Sequence, residues 1–332
     1  MEKGLRDSYE LPNNVLKAIP EPLVTVRTLA HQHAPFIQDC LEGVLMQKTT
    51  FPVEYVIGED CTTDGTREVV LEYAKKHPDK IRVVTADYNV GGMANGERCR
   101  RITRGKYVAL CEGDDCWTDP LKLQKQVELL EAHPEYSFCC GGYESVNLIA
   151  NEKKRVVIDP FQNKDGGYAF TLKETLDAWL TKTLTLVYRE EVIASQDMSK
   201  YKHMRDVHLI YHLLKQGKGY YFKQVFGIYR IHGTGIFSQR TYPEMITDHY
   251  GLYRELFLVN KDDFTRKMYL KMILLVLGCN AKNLFKKNSI TNSFTLAYVF
   301  LKTMDLRKDL FFVLKGIRKK ISPAIVLNQK TP

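Results

Sequence analysis

The chain predicts an α/β protein with a mostly parallel sheet, followed by a helical C-terminal region. Three features carry that expectation. Between Leu23 and Gly141, short apolar runs alternate with segments of helical period, the pattern of βαβ units. Two of the runs end in acids, Glu59-Asp60 and Glu112 to Asp115, and such sheets bind ligands beyond the carboxyl ends of their strands. From Thr241 onward the apolar spacing is helical.

Residues 1–21 form a polar lead-in that ends in proline-rich sequence, with no apolar core of a signal peptide. Leu23–Arg27 reads as a first strand and Thr28–Ala34 as the loop after it. Pro35 opens a helix whose Phe36, Ile37, Cys40, Leu41, Val44 and Leu45 fall on one stripe. Val53–Gly58 is a second strand. Cys61–Thr66 is a turn rich in side-chain oxygens that caps the helix Arg67–His77. Ile81–Thr85 is a third strand, and Asn89–Asn95 a loop entering a helix through Ile102. Gly105–Cys111 is a fourth strand, carrying the larger acidic cluster. Asp119-Pro120 starts a helix with Leu123, Val127 and Leu130 at helical spacing. Tyr136–Gly141 is a buried strand, residues 147–170 a polar loop suited to acceptor contacts or a lid, Thr171–Leu180 a helix and Thr183–Tyr188 a strand. Val207–Lys215 is a further helix.

The 332 residues exceed the usual single-domain size, so one large domain with an appendage is expected. No run reaches the roughly 18 apolar residues of a membrane-spanning helix. Eight cysteines without a C-x-x-C pair fit reduced thiols in a cytoplasm, with Cys139-Cys140 in a core rather than on zinc. The net charge of +9 is unevenly placed. Residues 261–332 carry 15 Lys and Arg against 4 Asp, a net of +11, leaving the first 260 residues slightly acidic. A boundary near residue 260 and an anionic partner for the C-terminal part follow. Phe285-Lys-Lys and Leu310 to Ile321 set apolar residues against basic ones. That composition suits a helix on an anionic membrane surface, or a bundle with a solvated basic face.

Glu112, Asp114 and Asp115 crowd one strand end with only Gly113 between the first two. Several carboxylates there are costly unless a cation neutralises them, and hard oxygen ligands suit Mg²⁺ or Mn²⁺. Gly113 lets backbone or ligand approach closely. Solvated acids in a strand-to-loop turn are the simpler alternative.

Four ordered segments, V-T-V-R-T-L-A-H-Q-H-A-P-F-I, V-I-G-E-D-C-T-T-D-G-T, N-V-G-G-M-A-N and G-K-Y-V-A-L-C-E-G-D-D, resemble family 2 glycosyltransferases. The resemblance implies a GT-A fold, a Rossmann-like nucleotide-diphospho-sugar transferase, over residues 22–240, with a basic helical region over 241–332. No G-x-G-x-x-G follows the first strand, which disfavours a dinucleotide-binding dehydrogenase. By resemblance, Asp60 accepts the base N–H of the donor with Glu59 beside it, and Thr28, Leu29 and Ala30 supply backbone around the base. A helix cap is the alternative for Asp60. Asp114 is the main metal carboxylate, with Glu112 and Asp115 on the metal or ribose hydroxyls and Gly113 beside the nucleotide sugar. Asn95 and Arg98 lie on the helix before that strand, where Arg98 meets the diphosphate or solvent. Arg230 suits the diphosphate through its forked donors, and His232 is a metal ligand or a structural histidine. Asp206 resembles the general base that deprotonates the acceptor hydroxyl; an N-cap role is its alternative. The chain departs from the family at Ala30-His31-Gln32, usually Thr-Tyr-Asn, and at Glu112, more often Asp.

The expectation is an inverting transferase dependent on Mn²⁺ or Mg²⁺ that uses a UDP-sugar or similar donor. Its acceptor would be a glycan or a lipid-linked acceptor, reached from the cytoplasm or the inner membrane face. Nucleic acid is not an expected partner. A nucleotidyltransferase acting on sugar phosphates, or a catalytically silent protein that binds sugar nucleotide or membrane, are the alternatives.

Overall fold

The protein is described from a computed structural model. The structure describes residues 2–13, 21–162, 165–202, 204–235 and 242–284. The basic helices expected at 285–332 lie outside the described residues.

The chain runs α1 (Glu2–Arg6), β1 (Tyr9–Glu10), β2 (Val24–Ala30), α2 (Ile37–Leu45), β3 (Val53–Glu59), α3 (Thr66–Lys76), β4 (Ile81–Thr85), α4 (Gly92–Arg101) and β5 (Tyr107–Leu110). It continues β6 (Cys116–Trp117), α5 (Lys122–Ala132), β7 (Tyr136–Asn147), β8 (Glu152–Val156), β9 (Gly167–Phe170), α6 (Leu172–Thr175), β10 (Val187–Arg189) and α7 (Glu190–Ala194). It closes with α8 (Asp206–Gln216), β11 (Lys218–Ile231), α9 (Tyr242–Asn260) and α10 (Asp263–Leu284).

The strands form one sheet in the order β1-β4-β3-β2-β5-β10-β7-β11-β6, with β8 on β7 and β9 on β11. The four strands β4, β3, β2 and β5 are parallel, as the βαβ pattern predicts. The rest is mixed, because β10 is a short strand antiparallel to both β5 and β7. A mostly parallel sheet therefore describes only the first half. The expected strand at 183–188 is instead a 3₁₀ turn, Thr183–Thr185, followed by β10.

Helix faces match the apolar stripes. Ile37, Cys40, Leu41 and Val44 of α2 are buried, as are Leu123, Val127 and Leu130 of α5. Gly43 lets α2 approach β6, since a Cβ there would sit 2.8 Å from the Trp117 backbone. Cys139 and Cys140 are wholly buried in β7, as expected.

The chain divides into two compact units. The first comprises 1–171, 179–197 and 209–232 and holds the whole sheet; the second comprises 172–178, 198–208 and 233–332. The expected boundary at 240 lies close to the division after His232, and two further stretches join the second unit. Within that unit α9 and α10 pack through Phe257 stacked on Tyr269 at 5.6 Å and the Tyr250–Tyr269 hydroxyl pair at 3.3 Å. Asn260 donates to the Tyr201 hydroxyl at 2.9 Å.

Candidate active site

The end of β2 holds two acidic loops at a fixed spacing. Thr28 is wholly buried, and its Oγ1 donates to the Cys111 carbonyl at 2.7 Å. The Leu29 carbonyl accepts the Gly113 amide at 3.2 Å, and the Ala30 carbonyl accepts the Asp60 amide at 3.1 Å. These residues were expected in a loop. They extend the strand instead, because β2 stays paired with β3 as far as Ala30 and Glu59.

Glu59 and Asp60 end β3 and are 1% and 2% exposed. Glu59 Oε1 accepts the Thr62 amide and hydroxyl, while Oε2 accepts the Thr85 hydroxyl and pairs with Arg67 at 2.9 Å. Asp60 spans the next loop: Oδ1 accepts the Val90 amide at 2.8 Å and Oδ2 the Gly91 amide at 3.0 Å. Gly91 needs its freedom, standing at φ 84°. Arg98 reaches Asp60 at 3.6 Å and donates to the Glu59 carbonyl at 2.6 Å and to Asn95 Oδ1 at 2.9 Å. Asn95 in turn donates to the Gly58 carbonyl at 2.9 Å. Glu59, Asp60, Asn95 and Arg98 are thus bonded to one another's loops beneath the surface. His31 and Asn89, 3.2 Å apart, form the exposed rim above them. The N-cap of α3 is Gly65, and Asp64 just before it accepts the Thr66 amide at 3.1 Å.

The loop after β5 brings the second acids to β11. Asp114 Oδ2 lies 3.1 Å from His232 Nε2 and 4.0 Å from His33 Nε2. Asp115 is 2% exposed, and its Oδ1 accepts the Arg230 amide at 3.1 Å. Burial, then the charge of Asp114, holds the Asp115 carboxyl well above the usual carboxylate range. Arg230 donates to the Asp114 carbonyl at 3.1 Å and to Asp39 at 2.5 Å, and lies over Phe36 at 5.4 Å. The Phe36 ring in turn meets His232 at 4.8 Å. The Glu112 carbonyl accepts the Asp115 amide at 3.0 Å, which tightens the turn. A Cβ on Gly113 would sit 2.5 Å from His33 Nδ1, so only glycine leaves the imidazole its place. Burial lowers the His33 pKa, with Asp114 opposing.

Asp206 belongs to the second unit. It is the first residue of α8, where its Oδ1 accepts the Val207 amide at 2.9 Å. Sequence reasoning missed His33 and Asp39. The H-x-H spacing of His31 and His33 was the available signal for the first; Asp39 is an ordinary exposed helix residue and gave none.

Among the described residues no three His, Cys, Asp or Glu side chains converge as a metal cage. The Asp114 carboxylate and the His232 imidazole, 3.1 Å apart, make a partial donor set. Mg²⁺ and Mn²⁺ fit such a set, since they keep much of their coordination for water and substrate phosphates.

Comparison with known proteins gives the same outline. The profile described as glycosyl transferase family 2 matches residues 25–179. An uncharacterized protein of Mycobacterium tuberculosis is 41% identical over 116 residues, 35% of this chain; the chain spans only about a third, 34%, of that relative's length. TuaG of Bacillus subtilis, by name a teichuronic acid biosynthesis glycosyltransferase, is 27% identical over 66% of this chain and 83% of its own. Among solved structures, S. aureus TarS 1–349 in complex with UDP-GlcNAc superposes with a TM-score of 0.61 at 16% identity, over 89% of this chain and 85% of that one. At that identity the likeness concerns the fold. Among the described residues no helix is long and apolar enough to cross a membrane.

Proposed function

We propose that the chain is a glycosyl transferase of family 2, whose profile matches residues 25–179, and that it moves a sugar from a nucleotide-diphosphate donor to an acceptor hydroxyl with inversion. The observation that carries this reading is the convergence of Asp114, His232 and Arg230 beside a carboxyl-end loop of the sheet. Asp114 and His232 would hold Mn²⁺ or Mg²⁺. A cation there supplies positive charge to the leaving diphosphate. Arg230, steadied by Asp39 and Phe36, presents its guanidinium to the same phosphates. Gly113 and the β2 end keep the loop at its distance from Asp60. Thr28, Glu59, Asn95 and Arg98 act through that frame, and Leu29 and Ala30 contribute main chain on the base side. Asp115 and Glu112 face ribose or the cation.

Asp206 is the proposed base. It takes the acceptor proton as the hydroxyl oxygen bonds to the anomeric carbon, and the nucleoside diphosphate leaves with the electrons of the broken bond. A UDP-sugar is the favoured donor, supported by the complex of TarS with UDP-GlcNAc. The name of TuaG supports an acceptor in surface-polysaccharide synthesis, glycan or lipid-linked, met at the inner membrane face.

The test is a panel of UDP-glucose, UDP-N-acetylglucosamine and GDP-mannose with Mn²⁺, read by thermal shift and by nucleoside diphosphate release. A donor that raises Tm and slowly yields diphosphate, with both lost in EDTA, is expected. Pyrophosphate release from a nucleoside triphosphate and a sugar phosphate would overturn the reading in favour of a nucleotidyltransferase. A panel in which no donor raises Tm or turns over would favour a silent protein.

A further inference from the structure

The turn between β7 and β8 carries an apolar tip to which the functional reading gives no role. Asn147 fixes the turn: its Oδ1 accepts the amides of Ile149 and Ala150, each at 3.0 Å. Asn151 takes the left-handed conformation at φ 53°, which asparagine tolerates. The turn holds Leu148 and Ile149 outward, 51% and 63% exposed. Single exposed apolar residues need no explanation, but two adjacent ones at a side-chain-locked tip are a different matter.

Two further observations say what the tip meets. The first is charge. β8 reads Glu-Lys-Lys-Arg-Val, and Lys153, Lys154 and Arg155 are all exposed. Lys153 pairs with Glu144 at 2.8 Å, and Lys154 and Arg155 add two more cations behind the tip. The second is position. β10 is antiparallel to both β5 and β7, so β7 runs parallel to β5 and leaves the sheet at the edge that carries the acidic loops. β11 runs parallel to β7, and the Leu148 amide donates to the Ile231 carbonyl at 2.9 Å, one residue before His232. The tip therefore stands at the rim of the catalytic edge.

We propose that Leu148 and Ile149 enter the interfacial layer of an anionic lipid surface while Lys154 and Arg155 meet its phosphates. Long basic side chains keep their charge at headgroup level as their stems follow the apolar residues in. The purpose rests on the lipid-linked acceptor of the functional reading; the contact itself does not.

The test uses the full chain and vesicles of phosphatidylcholine, with or without phosphatidylglycerol. Wild type should co-sediment with the anionic vesicles and less so in salt, which screens the basic residues. Leu148→Ser with Ile149→Ser removes two exposed side chains and should leave Tm and nucleotide release unchanged, while weakening vesicle binding roughly tenfold or more. Lys154→Gln with Arg155→Gln should weaken binding only to the anionic vesicles. In Ile149→Trp, emission should shift to the blue on vesicle addition relative to wild type. Wild type that ignores anionic vesicles, a serine variant that binds them undiminished, or no blue shift overturns the proposal. Concentration-dependent dimers lost in the serine variant, without vesicle binding, would make a second copy of the chain the occupant instead. If no donor of the panel turns over yet the vesicle results hold, the functional reading falls and the lipid contact stands.

Discussion

Replacing Lys122 with methionine should make the protein more stable at neutral pH, and the gain should shrink as pH rises. Lys122 is wholly buried under the acidic loop, and its Nζ has no hydrogen-bond partner among the described residues. Burial pulls the amine from its ordinary 10.5 to about 7, with the neighbouring thiols and Asp119 opposing. Above pH 7 the unfolded chain holds a proton that the folded one gives up, so stability rises with pH until about 10.5, where both states are neutral. At about 1.36 kcal/mol per pH unit the 10.5-to-7 displacement sets a ceiling of about 5 kcal/mol. The amine also lies 4.0 Å from the centre of the Trp117 ring. A desolvated cation over indole returns about 2 kcal/mol, which lowers the expected gain for Lys122→Met to about 3 kcal/mol at pH 7. The same return moves the onset of the rise up by about 1.5 units. Buried Cys99 and Cys139, each pushed up to about 12, penalise folding in alkali, so the informative quantity is the difference between variant and wild type. Urea unfolding from pH 6.5 to 10, followed by tryptophan emission, reads it; Trp117 and Trp179 both lie in the first unit. A variant less stable than wild type at pH 7, with a difference that stays flat to pH 10, would refute the reasoning.

Gly113→Ala should displace His33, because the added methyl falls 2.5 Å from its Nδ1. Metal-dependent nucleotide binding should weaken about tenfold or more, with a strain cost of about 1–3 kcal/mol in urea unfolding. Unchanged binding by calorimetry would show that the loop has room. Asp114→Ala should abolish Mn²⁺-dependent nucleotide binding while circular dichroism stays that of wild type; residual activity in excess EDTA would remove the cation from the argument. Asp206→Asn should keep donor affinity and lose transfer by roughly 10²–10⁴ in rate. Affinity falling in step with rate would make Asp206 a structural or nucleotide contact.

The parallel half of the sheet was legible because each strand there is an apolar run closed by acids or by turn residues. β11 was not read, although it is the longest strand. Its pairing with β7 shifts register near Lys218, Phe222 and Val225, and such irregularities break the two-residue alternation that marks a strand. β8 escaped for the opposite reason: Glu152 to Arg155 are exposed and charged, with no buried face to betray them. The acids themselves were legible as clusters at strand ends. Their division of labour was not, since nothing local tells that Asp60 spans to Val90 and Gly91, or that Asp39 of α2 steadies Arg230.

The β2 end has a consequence for how such a protein can diversify. Leu29 and Ala30 grip the two acidic loops with carbonyl oxygens, which every residue type possesses. Ala30 is wholly buried and Leu29 packs on Val56, Val84 and Cys99, but the exposed side chains of His31 and Gln32 beyond them take no part in the grip. This chain departs from Thr-Tyr-Asn at those very positions. A lineage could rewrite that exposed rim one residue at a time, while the span between the carboxylates stayed as it was.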